Sequence, residues 1–87
     1  LHYYEEGKMM REEVKEFAQA MEEKLAANDD KGGWDNERIQ WLFARLVEEV
    51  GELAMALYDE KYTPYEIKSE AVDVANLAMM IFSKLKE

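Results

Sequence analysis

Between residues 10 and 25 the apolar side chains Met10, Val14, Phe17, Ala18, Met21 and Leu25 return at three- and four-residue steps, with Lys, Arg and Glu in the intervals. That spacing puts them on one face of an α-helix, and the pattern predicts a first amphipathic helix over residues 5–27. It stops at Asn28-Asp29-Asp30-Lys31-Gly32-Gly33-Trp34-Asp35-Asn36, a run of turn-forming residues that reads as a loop. Asp35 or Asn36 is then available to cap a second helix over residues 36–59, along which Ile39, Leu42, Phe43, Leu46, Val50, Leu53 and Leu57 trace one stripe. Gly51 falls inside it. A mid-helix glycine costs about 1 kcal/mol relative to alanine, and close approach of another backbone or a ligand would account for it.

Thr63-Pro64-Tyr65-Glu66 combines an N-cap threonine, a proline at the first helical position and a glutamate able to close a capping box. A third helix is predicted from there, over residues 64–86. From Ala71 to Phe82 it is apolar at ten of twelve positions, with only Asp73 and Asn76 interrupting. A helix apolar nearly all round has to be enclosed by neighbours. Three helices from one chain do so with difficulty, and a domain of 87 residues buries only roughly 60–65 % of the surface its unfolded chain exposes. The expected fold is therefore all-α: one domain over residues 1–87, a three-helix subunit of a helical bundle completed by oligomerisation as a homo-dimer or homo-tetramer. No strand alternation, internal repeat or low-complexity tract competes with this reading.

Charge narrows the partners. Twenty Asp and Glu against eleven Lys and Arg give a formal charge of −9, which disfavours a polynucleotide or an anionic membrane surface. An anionic small molecule would need a cation to bridge it to such a chain, and a divalent metal is the usual solution. The sequence contains no cysteine, so disulfides, thiolate catalysis and thiolate metal sites are excluded and a cytoplasmic location is expected. No stretch reaches the roughly 18 uninterrupted apolar residues of a membrane span, and Leu-His-Tyr-Tyr-Glu-Glu lacks the build of a signal peptide.

The candidate chemistry lies in carboxylates. On a helical wheel centred on Leu46, Glu49 falls roughly 60° and Glu52 roughly 120° to one side of the second helix's stripe. On the third helix, centred on Val74, Glu70 falls roughly 40° and Asp73 roughly 100° to one side, with Asn76 further round. Residues three apart on a helix are neighbours, so each pair can present two carboxylates to one metal or to adjacent metals. Hard oxygen ligands of this kind suit Mg²⁺, with Mn²⁺ as the alternative. For Glu48, Glu49 and Glu52 alone, a solvated helix face is the commoner explanation. Glu70 and Asp73 sit in an apolar setting where acids are rarely idle. Asp73 has no basic neighbour in sequence, so a metal is its expected partner, and a structural ion pair with Arg45 or Lys84 is the competing account.

Glu48-Glu49-Val50-Gly51-Glu52-Leu53-Ala54, followed by Glu70-Ala71-Val72-Asp73-Val74-Ala75-Asn76, resembles the paired Glu-x-x-Glu and Glu-x-x-Asp motifs of the MazG-like all-α nucleoside triphosphate pyrophosphohydrolases, over residues 28–82. The resemblance implies a bundle completed by oligomerisation, Mg²⁺ held by Glu49, Glu52, Glu70 and Asp73, and Asn76 helping to place the nucleotide. It implies hydrolysis of a nucleoside triphosphate between the α- and β-phosphates to the monophosphate and pyrophosphate. Metal ions can neutralise the triphosphate and acidify a bound water, while a carboxylate takes the proton; Glu48 and Glu49 are the candidates for that base. Some relatives in this family have lost activity, so a non-catalytic metal-binding or assembly module on the same bundle is the alternative.

Lys31-Gly32-Gly33-Trp34 resembles a segment ahead of the motif helix in phage-type members of the group. Lys31 is a candidate for a phosphate contact and Trp34 for stacking on a base, against the equally weighted reading of Trp34 as a hydrophobic anchor for the loop. Lys61 is a weaker phosphate candidate, because an exposed lysine beside a turn is usually only solvated. His2 is the single histidine, so a His-carboxylate di-iron site cannot be built and Ser69 and Ser83 have no base for a triad.

Overall fold

The computed structural model describes residues 10–85 and, within them, contains three α-helices and no strand. These are α1 (Glu12–Ala27), α2 (Ile39–Tyr58) and α3 (Pro64–Lys84), with a short 3₁₀ turn, Asp29–Lys31, between the first two. The all-α reading therefore holds. Arg11 is the extended N-cap residue of α1, so that helix starts at Glu12, later than expected; the part of the prediction on residues 5–9 lies outside the described residues. Leu85 closes α3 in extended conformation, and residue 86 likewise lies outside.

The third helix begins as its sequence demands. Thr63 accepts from the Glu66 backbone N–H at 3.2 Å, and the Glu66 carboxylate accepts from the Thr63 backbone N–H at 2.8 Å, closing the capping box around Pro64. The start of α2 differs. Arg38 occupies its N-cap position with no side-chain cap, so neither Asp35 nor Asn36 performs the role expected of it. The loop is tied down by α3 instead: Trp34 Nε1 donates to Ser83 Oγ at 2.8 Å and Lys84 Nζ donates to the Asp35 carbonyl at 2.7 Å.

Helix α3 is the centre of the fold, with α2 packed along one side and α1 along another, while α1 and α2 do not pack directly on each other. A cleft is left between them. The buried apolar residues of the described chain are Leu42 and Ala56 on α2 with Val72 and Leu77 on α3; α1 contributes none that is fully buried. Leu42, Glu49 and Ala56 are the buried positions of α2 and recur at seven-residue steps, so its inner face is centred on Glu49. That is roughly 60° away from the centre deduced from the apolar stripe. Phe43, Val50 and Leu57, three members of that stripe, are exposed, as is Val47. Gly51 is also exposed, and a methyl group built on it would meet nothing within 4 Å, so no close approach among the described residues explains it.

Candidate metal centre

The rotation of α2 brings its acid to the other helix. Glu49, Glu70 and Asp73 each present a carboxylate oxygen, and the three oxygens lie within 4.8 Å of one another. Two helices supply them: Glu49 from α2, and Glu70 with Asp73 from successive turns of α3. Glu49 is buried and only 7 % exposed, while Glu70 and Asp73 are half-buried. Glu49 Oε1 and Glu70 Oε1 are both inaccessible and have no hydrogen-bond partner among the described residues. A buried carboxylate oxygen with no donor is costly, and a bound cation is one of the few arrangements that relieves it.

Two basic side chains already face these acids. The Arg45 guanidinium reaches Glu49 Oε2 at 3.2 Å and also pairs with Glu48. Lys24, from α1, holds Asp73 Oδ1 at 2.8 Å. Asp73, which has no basic neighbour in sequence, thus has a counter-ion from another helix, and that partner is neither of the two considered from sequence, Arg45 and Lys84. Burial pushes the Glu49 carboxyl above its ordinary range, the charges of Glu52, Asp73 and Glu70 add to that, and Arg45 opposes it. The Arg45 guanidinium is itself shifted upward, chiefly by its hydrogen bond to Glu48.

The remaining sequence candidates divide clearly. Glu52 is exposed and stands outside the close group of oxygens, although near enough for its charge to act on Glu49. Glu48 is exposed and engaged by Arg45. Asn76 is 5 % exposed; its Nδ2 donates to the Met21 carbonyl at 3.3 Å, and its buried Oδ1 has no partner among the described residues. It lines the cleft beside the acids together with Lys24, Leu25, Asn28, Arg45, Glu49 and Asp73.

Continuous with this cleft through Leu25, Asn28, Arg45, Leu77 and Met80 is a second cavity of about 380 Å³, walled by Lys31, Gly32, Gly33, Trp34 and Trp41. Its size is that of an ordinary small-molecule site. Lys31 and Trp34 thus line a cavity that adjoins the acid cleft without lining the cleft itself, and the Trp34 indole N–H is committed to Ser83 as a loop anchor while its ring still faces the cavity. Gly32 has φ 88°, the left-handed region that glycine occupies without penalty, which lets the loop turn over the cavity. Lys61 lines neither cavity: its ammonium is 3.7 Å from Asp59 and 5.6 Å from the centre of the Tyr62 ring.

Sequence reasoning missed Lys24 and Trp41. For Lys24 a signal existed, because it lies between Met21 and Leu25 on the inward side of α1, where a lysine needs an acceptor to face. Trp41 lay off the apolar stripe and gave no such sign. No protein-family model, curated protein or solved structure matches this chain. The motif residues therefore stand on their own geometry.

Proposed function

We propose that this chain is a subunit of a Mg²⁺-dependent nucleoside triphosphate pyrophosphohydrolase of the MazG-like kind. The observation that carries the proposal is the convergence of Glu49, Glu70 and Asp73 from two helices, with buried oxygens of Glu49 and Glu70 left without donors among the described residues. Together with Glu52 these are the four residues in which the two motifs resemble that family. A divalent ion held there would neutralise a triphosphate that the chain, with a formal charge of −9, would otherwise repel, and would acidify a bound water. Glu49, whose carboxyl is held above its usual range, suits the proton acceptor better than Glu48, which is exposed and paired with Arg45. The cavity beside Trp34 and Trp41 has the aromatic walls that a base would use, and Lys31 at its rim has the charge for a phosphate.

The exposed face of Phe43, Val47, Val50 and Leu57 supports a homo-oligomer, in which a second subunit would cover these side chains. Among the described residues no helix is long and apolar enough to cross a membrane, and the cysteine-free sequence suits a reducing compartment such as the cytoplasm.

A second reading is favoured by one specific observation: Lys24 and Arg45 already pair with two of the three acids. In that version the chain is a non-catalytic metal-binding or assembly module. Incubation with a panel of nucleoside and deoxynucleoside triphosphates and Mg²⁺, reading released pyrophosphate, separates the two. Release that requires metal and disappears in Glu70→Gln supports the enzyme; a folded, metal-binding protein with no turnover of any triphosphate supports the module.

A further inference from the structure

The position of Lys24 carries a further inference, which rests on the metal reading above. Its ammonium sits 2.8 Å from Asp73 Oδ1, donates to the Ser69 carbonyl at 3.0 Å and also donates to the Ser69 hydroxyl. Of the three N–H donors of an ammonium, two are hydrogen-bonded to Ser69, and the contact with Asp73 is an ion pair. The lysine is thus locked onto the same carboxylate whose oxygen belongs to the close group with Glu49 and Glu70. It does not satisfy the rest of that group, since Glu49 Oε1, Glu70 Oε1 and Asn76 Oδ1 remain buried and without partners among the described residues.

A divalent ion drawn in by those oxygens would meet the ammonium across Asp73. Like charges a few ångströms apart in a partly desolvated cleft repel strongly. Room exists for the lysine to leave, because Lys24 lines two spaces: the acid cleft, and a groove between α1 and α3 walled by Tyr65, Lys68 and Ser69. Its side chain and that of Asp73 are about one third exposed, at 31 % and 33 %, so the ammonium can regain water as it moves.

We infer that Lys24 is a tethered counter-ion, a positioning residue that holds Asp73 in the metal-free chain and is displaced when a divalent cation binds. Beside Arg45, which pairs with Glu49, it offsets the charge of the acid group while metal is absent, and it weakens metal binding by competing for one ligand. Ser69 is the second anchor that sets how firmly it competes.

Titration of the full chain with Mn²⁺ by calorimetry, comparing wild type with Lys24→Met and Ser69→Ala, tests this. Lys24→Met is expected to bind Mn²⁺ about tenfold more tightly, because both a competitor and a repelling charge are gone. Ser69→Ala should shift affinity in the same direction by a smaller factor, and it decides the matter if Lys24→Met does not fold without metal. A purely structural lysine would leave affinity unchanged or lower it. If wild type binds Mn²⁺ and neither variant binds more tightly, the counter-ion role is overturned while the metal site survives. If wild type binds no Mn²⁺ at millimolar concentration, the metal reading falls and takes this inference with it.

Discussion

Arg45 reaches Glu49 across one turn of α2, 3.2 Å from guanidinium to carboxylate, and in doing so satisfies only one of the two oxygens of an acid that is otherwise buried. The pairing is incomplete. An isolated helix would show it as an ordinary surface pair four residues apart; packing against α3 turns Glu49 into a buried charge with three further carboxylates nearby.

Replacement of Glu49 by Gln should therefore stabilise the metal-free protein at pH 8 and abolish its response to metal. Because the folded-state pKa of Glu49 is raised above the unfolded value of about 4.3, its protonated form is the one favoured by folding. The resulting penalty is absent below the unfolded pKa and grows as pH rises through the folded one. The stability advantage of Glu49→Gln over wild type in chelator should accordingly shrink as pH is lowered from 8 towards 4. Thermal melts across that range check it, and a constant or opposite difference would contradict the burial argument.

Asp73→Asn removes a carboxylate from the group but also strips Lys24 of its partner. Since that pair is about one third exposed, the metal-free protein should lose only about 0–1 kcal/mol. The rise in melting temperature expected of wild type with Mg²⁺ or Mn²⁺, by mass action, should be missing from the variant. Should the variant still be stabilised by metal as strongly as wild type, Asp73 is not a ligand.

Trp34 offers a separation of two roles in one side chain. Trp34→Phe and Ser83→Ala each delete the hydrogen bond at 2.8 Å, at a cost of about 1 kcal/mol, and both should speed hydrogen exchange in the loop of residues 29–37. If the ring stacks on a base, Trp34→Phe keeps most of the affinity for a nucleotide that Trp34→Ala loses. Equal losses in Trp34→Ala and Ser83→Ala would reduce the tryptophan to a loop anchor.

The exposed α2 face predicts association. Sedimentation of wild type should give a multiple of the 10.2 kDa chain mass, and Phe43→Glu or Val50→Asp should shift it towards one chain by placing a charge in a desolvated contact. A stably folded wild-type monomer at micromolar concentration would refute the interface.

What the sequence by itself determined is local and periodic. Helix count and class, the Thr63–Glu66 capping box, the interrupting loop and the placement of acids on the second and third helices all follow from spacing and from residues that cap or break helices. Such signals act within a few residues and survive whatever the helices later pack against. The direction of the α2 inner face was decided only by the tertiary structure. A periodic stripe sums every apolar contact a helix needs, and Phe43, Val50 and Leu57 pulled its centre away from Glu49 although α3 does not cover them. The same holds for the contacts that give the cleft its chemistry. Lys24 meets Ser69 across 45 positions, Trp34 meets Ser83 across 49 and Asn76 meets the Met21 carbonyl across 55. No short-range preference encodes these distances. They exist because α1 and α2 dock on different sides of α3, which leaves a cleft whose buried acids take whichever cations the packed chain brings within reach.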